Sequence, residues 1–221
     1  MNITNILQSS ANRFRTKPAL IFKDQPVSFN NLKAMVFQLA KGLSCAGVRK
    51  STKVAIYLPN CPEYVYGYLS LFYLGATVVP LDHMLKIEEL VSCLSHSETE
   101  ILIALYRPDV DIQALKTALP LLKTVIVMGQ PLGLPWERPW ASLLGSGSAA
   151  PAEVKEGDPA LIMYTSGTTG DPKGILLNYR HLDGSPEAMK HFVDLNERDV
   201  KICALPLSHI GGFIYIQNCV L

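Results

Sequence analysis

Residues 164–174 read Tyr-Thr-Ser-Gly-Thr-Thr-Gly-Asp-Pro-Lys-Gly. Hydroxyls at Thr165, Ser166, Thr168 and Thr169, glycines at Gly167, Gly170 and Gly174, and the amine of Lys173 are packed into this one stretch. Glycine has no Cβ and lets main-chain N–H groups come close to an anion. Successive N–H groups in such a turn form a concave nest for phosphate oxygens. Hydroxyls add donors and can ligate a magnesium ion that bridges phosphates. Lysine supplies a mobile point charge, a usual partner of phosphate. Together they are the chemistry for holding a polyphosphate. The string is not the P-loop pattern, which ends in Gly-Lys-Ser/Thr; here Lys173 follows Pro172 and precedes Gly174. An ordinary Gly/Thr-rich turn is the plain alternative, and the ordered chemistry of the whole string favours phosphate over it.

The string resembles the signature loop of the adenylate-forming superfamily, which contains acyl-CoA synthetases, adenylation domains of non-ribosomal peptide synthetases and luciferases. Three further stretches agree with that family in content and order: Val27-Ser-Phe-Asn-Asn-Leu, the pair Leu58-Pro-Asn-Cys-Pro-Glu and Leu74-Gly-Ala-Thr-Val-Val-Pro-Leu-Asp82, and Leu205-Pro-Leu-Ser-His-Ile-Gly-Gly212. The resemblance runs from about Val27 to the last residue.

The resemblance implies an enzyme that joins a carboxylic acid to AMP, releases pyrophosphate, and passes the acyl group to a thiol, usually that of coenzyme A. ATP, a magnesium ion and coenzyme A are the implied cofactors and co-substrates. Thr165, Ser166, Gly167, Thr168, Thr169, Gly170 and Lys173 then hold the β- and γ-phosphates. Lys173 is the catalytic candidate, neutralising charge on the leaving pyrophosphate, and Thr165 is the magnesium candidate by its family position. Asp171 occupies a position the family varies, and an acid beside phosphates is expected to face solvent. His209 borders the acyl pocket in this reading, and Gly211 and Gly212 let the next helix approach it. Residues 205–213 contain no acid that could pair with an α-ammonium group. An unpaired ammonium in an apolar pocket is costly, which disfavours amino-acid substrates and favours a plain carboxylic acid.

The elements that would position this chemistry alternate. Apolar runs at 53–58, 77–81, 100–105 and 123–128 read as strands, and amphipathic or Pro-initiated segments at 62–74, 86–95 and 109–119 read as helices. The pattern predicts an α/β fold with a mostly parallel sheet flanked by helices, the incomplete N-terminal domain of the adenylate-forming fold. The uncharged Ala160-Leu-Ile-Met suits a buried strand leading into the phosphate loop, and 174–178 a strand leaving it. A helix is expected to restart at Ser185, a strand at 201–206, and another helix from Gly211. Residues 129–157, rich in Pro, Gly, Ser and Ala, read as a surface connection with one short helix at 140–144. We place a boundary there: a first subdomain at 1–150 and the start of a second at 151–221.

Composition narrows the class. A chain of 221 residues, 48% hydrophobic and 18% charged, can bury a sizeable core. A net charge of +1 gives no footprint for nucleic acid. The five cysteines are scattered, odd in number and without Cys-x-x-Cys spacing, which reads as reduced thiols in a cytoplasmic protein. The histidines show no metal-ligand spacing. The uncharged stretches 64–81 and 202–221 are broken by Gly and Pro, and each reads as two buried elements joined by a turn rather than a membrane span. The tyrosines between 57 and 73 read as packing, and Trp136 and Trp140 as anchors of the long connection.

The last residues, Phe213-Ile-Tyr-Ile-Gln-Asn-Cys-Val-Leu221, form an apolar element with no polar tail, and such an element needs a surface to bury against. The family's acidic motif, ribose-gripping aspartate, hinge and C-terminal domain find no counterpart in these residues. The chain therefore reads as an N-terminal portion of an acid–thiol ligase, inactive by itself. The alternatives are a non-catalytic binding or interaction module, or an adenylation domain of another branch of the superfamily. A P-loop nucleotidase is disfavoured by the missing Gly-Lys-Ser/Thr ending.

Overall fold

The computed structural model describes residues 3–108, 110–165, 173–182 and 196–220. The chain opens with helix α1 (Ile3–Arg13), a hairpin of β1 (Pro18–Phe22) and β2 (Gln25–Ser28), and helix α2 (Phe29–Cys45). Ser28 caps α2, its hydroxyl accepting the Asn31 N–H at 3.2 Å. This gives the Val27-Ser-Phe-Asn-Asn-Leu stretch a physical role.

The central sheet is built from the predicted apolar runs. Strand β3 (Lys53–Leu58) pairs in parallel with β4 (Thr77–Asp82) and with β5 (Ile101–Leu105). Beyond β5 lie β6 (Thr124–Met128) and β7 (Glu137–Pro139), both parallel. On the other side β4 meets β8 (Pro159–Thr165) in parallel, and β9 (Lys173–Asn178) runs antiparallel to β8. The sheet order is β7-β6-β5-β3-β4-β8-β9. Four of these strands fall within one residue of the predicted 53–58, 77–81, 100–105 and 123–128.

Strand alternation splits the core into two layers. Val54, Ile56 and Leu58 of β3, Val78 of β4, and Ile101 and Ile103 of β5 face one side. Ala55, Tyr57, Val79, Leu81, Leu102 and Ala104 face the other. Helices α2 and α3 (Pro62–Tyr73) cover the first side, and α4 (Ile87–His96) and α5 (Ile112–Ala118) the second. Both faces are therefore dry, which is why the middles of these strands are apolar. Helix α3 has Pro62 in its first turn and is buried on all sides from Tyr64 to Tyr73. It ends at Gly75, where φ is +68° and an added Cβ would lie 2.9 Å from Ala152 Cβ.

The tyrosines pack as expected. Tyr64 and Tyr68 stack at 5.4 Å between ring centroids, and Tyr68 and Phe72 at 5.8 Å. Trp140, in a 3-10 turn over Trp140–Leu143, is buried, and Trp136 is half-buried. The chain 64–81 is a helix, a turn and a strand, and among the described residues no helix is long and apolar enough to cross a membrane.

The structure corrects three local readings. Strand β7 was not expected: its three residues are too few to show alternation, and they pair because Val125 N–H reaches Trp136 O at 3.1 Å. Helix α5 starts at Ile112, later than the pattern implied, because Asp111 accepts the N–H groups of Gln113 and Ala114 at 2.9 Å and caps it there. The strand expected at 201–206 does not form. Val200 and Ile202 are 78% and 85% exposed, and no described strand pairs with the segment. Residues 202–206 are thus exposed rather than one of two buried elements.

The final helix, α6 (Ile210–Val220), starts within a residue of the expected Gly211 and finds its surface earlier in the chain: Phe213 meets Tyr68 at 5.3 Å and Phe72 at 5.9 Å. The helix expected from Ser185, and Asp171, lie outside the described residues. Strands β8 and β9 belong to the same seven-stranded sheet as β3 to β7.

Candidate functional site

The phosphate-loop string is hung on a hairpin. β8 and β9 run side by side, with Met163 facing Ile175, Tyr164 facing Gly174 and Thr165 facing Lys173. Thr165 and Lys173 are both exposed and are the last pair of the ladder. Ser166, Gly167, Thr168, Thr169 and Gly170 lie outside the described residues. The base of the hairpin is braced against α4. The Tyr164 hydroxyl donates to the Cys93 carbonyl at 3.0 Å and lies 2.8 Å from His96 Nδ1. Burial pushes the Tyr164 phenol up to about 12, so it is neutral and keeps its proton for that bond.

The second stretch, 205–212, meets the carboxyl end of β3. Asn60, two residues past β3, donates from Nδ2 to the Leu205 carbonyl at 2.9 Å. Its Oδ1 accepts the Leu207 N–H at 2.9 Å. The buried Tyr68 hydroxyl donates to the Leu207 carbonyl at 3.3 Å. His209 is exposed, its own N–H bonds Pro206 O at 3.0 Å, and its Nδ1 accepts the Gly211 N–H at 3.1 Å. A neutral imidazole in this role carries its proton on Nε2. His209 therefore caps α6 as well as facing solvent. A Cβ on Gly212 would lie 2.0 Å from the Pro206 carbonyl oxygen, so only glycine lets α6 sit this close to the segment. At Gly211 the added atom would meet the flexible Leu205 side chain at 2.6 Å.

The two stretches share one end of the sheet. β3, β4 and β8 are parallel, so Asn60 past β3 and Thr165 at the end of β8 lie at carboxyl ends pointing the same way. The chain leaves β3 for β4 on one side and then crosses back to β5 on the other. In open α/β sheets such a reversal opens a crevice outside the carboxyl ends, where ligands bind. A cavity of about 320 Å³ runs along the hairpin, from Lys53, Thr77 and Pro159, the first residues of β3, β4 and β8, to His96 and to Gly174 beside Lys173. Lys53 there is engaged by Glu98 at 2.5 Å.

Sequence reasoning missed Asn60, Tyr68 and His96. Asn60 stood inside a quoted motif, directly after an apolar strand and two residues before the proline that starts α3. That placement was the available signal. Tyr68 was read as packing, which it is, but its hydroxyl also holds Leu207. Nothing in the sequence marks His96.

A family model described as AMP-binding enzyme matches residues 7–221. The long-chain-fatty-acid–CoA ligase of Bacillus subtilis (strain 168) is 25% identical over 98% of this chain and 44% of its own length. The indoleacetate–CoA ligase of Aromatoleum aromaticum is 33% identical over 89% of this chain and 38% of its own. Among solved structures, a long-chain-fatty-acid–CoA ligase from Archaeoglobus fulgidus superposes with a TM-score of 0.86 at 26% identity, covering 100% of this chain and 45% of that one. The o-succinylbenzoate CoA synthetase of Bacillus subtilis, solved with its acyl-adenylate intermediate, gives 0.79 at 27% identity over 98% and 53%. The chain spans less than half the length of the curated relatives it matches, 44% and 38% of those two. With this family model matched across nearly all of its length, the chain belongs to the family of AMP-binding enzymes, as an N-terminal portion homologous to acyl-CoA ligases.

Proposed function

We propose that these residues form the N-terminal part of an ATP-dependent carboxylic acid ligase of the acid–thiol, AMP-forming kind. A carboxylate oxygen bonds to the α-phosphorus of ATP as the bond to pyrophosphate breaks. A thiol sulfur then takes the acyl carbon, loses its proton, and AMP departs. The observation that carries this reading is the Thr165–Lys173 pair: a hydroxyl and an ammonium group, both exposed, held facing each other at the mouth of the hydroxyl- and glycine-rich loop.

In this reading the 165–173 loop grips the pyrophosphate that leaves, with Lys173 opposing its growing charge. Thr165 offers an exposed hard oxygen, which suits magnesium. That ion would neutralise phosphate charge when bound. His209 and Gly211 border the acid. Relatives named for long-chain fatty acids, indoleacetate, 4-coumarate and 2-succinylbenzoate all carry coenzyme A ligase names. They support a plain carboxylic acid as substrate and coenzyme A as acceptor. We assign the protein to the cytoplasm from its scattered cysteines, of which Cys45, Cys61, Cys93 and Cys203 are free.

The test is carboxylate-dependent exchange of pyrophosphate into ATP by the full-length protein, over a panel from acetate to long-chain and aryl acids. Exchange that appears only with an acid present is expected. Its absence across the panel sinks the reading.

A further inference from the structure

We propose that Asn60 is a positioning residue: its side-chain amide fixes the path of residues 205–209 and thereby the place of His209. This rests on the proposed function for what His209 does, while the contact itself does not.

The amide of Asn60 gives a donor to Leu205 O and an acceptor to Leu207 N, both at 2.9 Å. One amide thus ties the bend at Leu205 to the turn that begins at Leu207. One side chain holds both ends of a three-residue segment that pairs with no described strand.

Pro206 lies between the two bonds and has no N–H to leave unpaired. Its carbonyl accepts the His209 N–H at 3.0 Å. Leu207 has both main-chain groups held by side chains, its N–H by Asn60 and its carbonyl by Tyr68. From Leu207 onward the turn closes on His209, whose imidazole caps α6 through Gly211. Each link from Asn60 to that ring is a formed hydrogen bond. Asn60 itself sits between Pro59 and the Cys61–Pro62 start of α3, where proline fixes the local backbone.

Asn60 is exposed, so groups freed by its removal can be rehydrated, and the loss in stability should be small. What is lost is direction. A reacting group displaced by about 1 Å can cost on the order of 100-fold in rate. Asn60→Ala removes both bonds. Asn60→Asp keeps the acceptor for Leu207 but sets a carboxylate against the Leu205 carbonyl, and it serves if the alanine variant fails to fold.

In the full-length protein, amide hydrogen exchange at Leu207 and the NMR shifts of the His209 ring are followed beside pyrophosphate exchange kinetics. The expected result is faster exchange at Leu207, moved His209 ring signals, and kcat/KM for the carboxylate lower by about tenfold or more, with KM for MgATP unchanged. Faster exchange at Leu207 with unmoved His209 signals and normal kinetics would make Asn60 a simple pin and overturn the proposal. So would unaltered protection of Leu207. If the wild-type protein activates no acid, the function reading fails. The exchange and NMR readouts still decide whether Asn60 places His209.

Discussion

Thr165 and Lys173 face each other as the last pair of the antiparallel β8–β9 ladder. Facing residues project from the same side of a sheet. The first hydroxyl and the ammonium of the loop therefore start from one face, about 5 Å apart at the backbone. No helix or distant segment is needed to bring them together. The main-chain ladder does so before any ligand arrives, which removes part of the ordering cost of gripping a phosphate.

Replacing Lys173 by alanine should slow adenylation without disturbing the fold. The side chain is exposed at the hairpin end and takes no part in the core. Loss of one charge aimed at a leaving pyrophosphate is expected to lower the exchange rate by about 10²–10³-fold. The unfolding free energy from urea titration should stay within the range of surface changes, about 0.5 kcal/mol. A variant with unchanged exchange kinetics would remove Lys173 from the site.

Stability should fall on the alkaline side. Burial lifts the Cys93 thiol to about 11 and the Cys61 thiol to about 12, and it also raises Tyr64, Tyr68 and Tyr164. Each folded-state value lies above its unfolded one. The folded chain then holds protons that the unfolded chain has released, and stability drops with pH in that interval. The contribution is complete below about pH 9, the unfolded thiol value, and is lost from there upward as thiols and then phenols ionise. Urea midpoints at pH 8, 9.5 and 11 should decline in that order. Equal midpoints at all three would contradict the buried, neutral state of these groups.

Much of this frame was legible because its signals are local. The strand runs at 54–58 and 101–105 are apolar over their whole length, a pattern that a doubly covered strand sustains. The loop string was legible because hydroxyl, glycine and lysine carry phosphate chemistry in their order alone. What escaped depends on partners distant in sequence. Val200 and Ile202 have strand-forming side chains, yet a strand needs a neighbour, and the segment meets an asparagine 145 residues earlier instead. The brace between Tyr164 and His96 is likewise a tertiary fact, since 68 positions separate the two rings. Strand β7 is short enough that pairing with β6, rather than its own composition, makes it a strand.

The 221-residue chain alone should bind MgATP weakly and form no acyl-adenylate. The described residues offer the hairpin ends and the 205–209 segment. Much of a nucleotide's affinity comes from burying its base. Titration calorimetry of the purified chain with MgATP should give small heats and no saturation in the low-micromolar range. Sub-micromolar binding, or acyl-AMP detected by mass spectrometry with any acid, would defeat this expectation.

Gly212 gives the sharpest structural test of how α6 meets the segment before it. A Cβ there would stand 2.0 Å from the Pro206 carbonyl oxygen and 2.7 Å from its carbonyl carbon. These are main-chain atoms, so no side-chain rotation can relieve the clash. Either α6 withdraws from residues 205–207 or the segment moves away from Asn60. Moving α6 also disturbs Phe213, which packs on both Tyr68 and Phe72. Overpacking of this kind costs about 1–3 kcal/mol. Gly212→Ala should therefore lower the unfolding free energy from urea titration by that much and speed amide exchange at Leu207. The same change at Gly211, whose added Cβ meets side chains alone, Leu205 at 2.6 Å and His209 Nδ1 at 3.4 Å, should be milder. If the two alanine variants were equally stable, the close approach at Gly212 would not exist in solution.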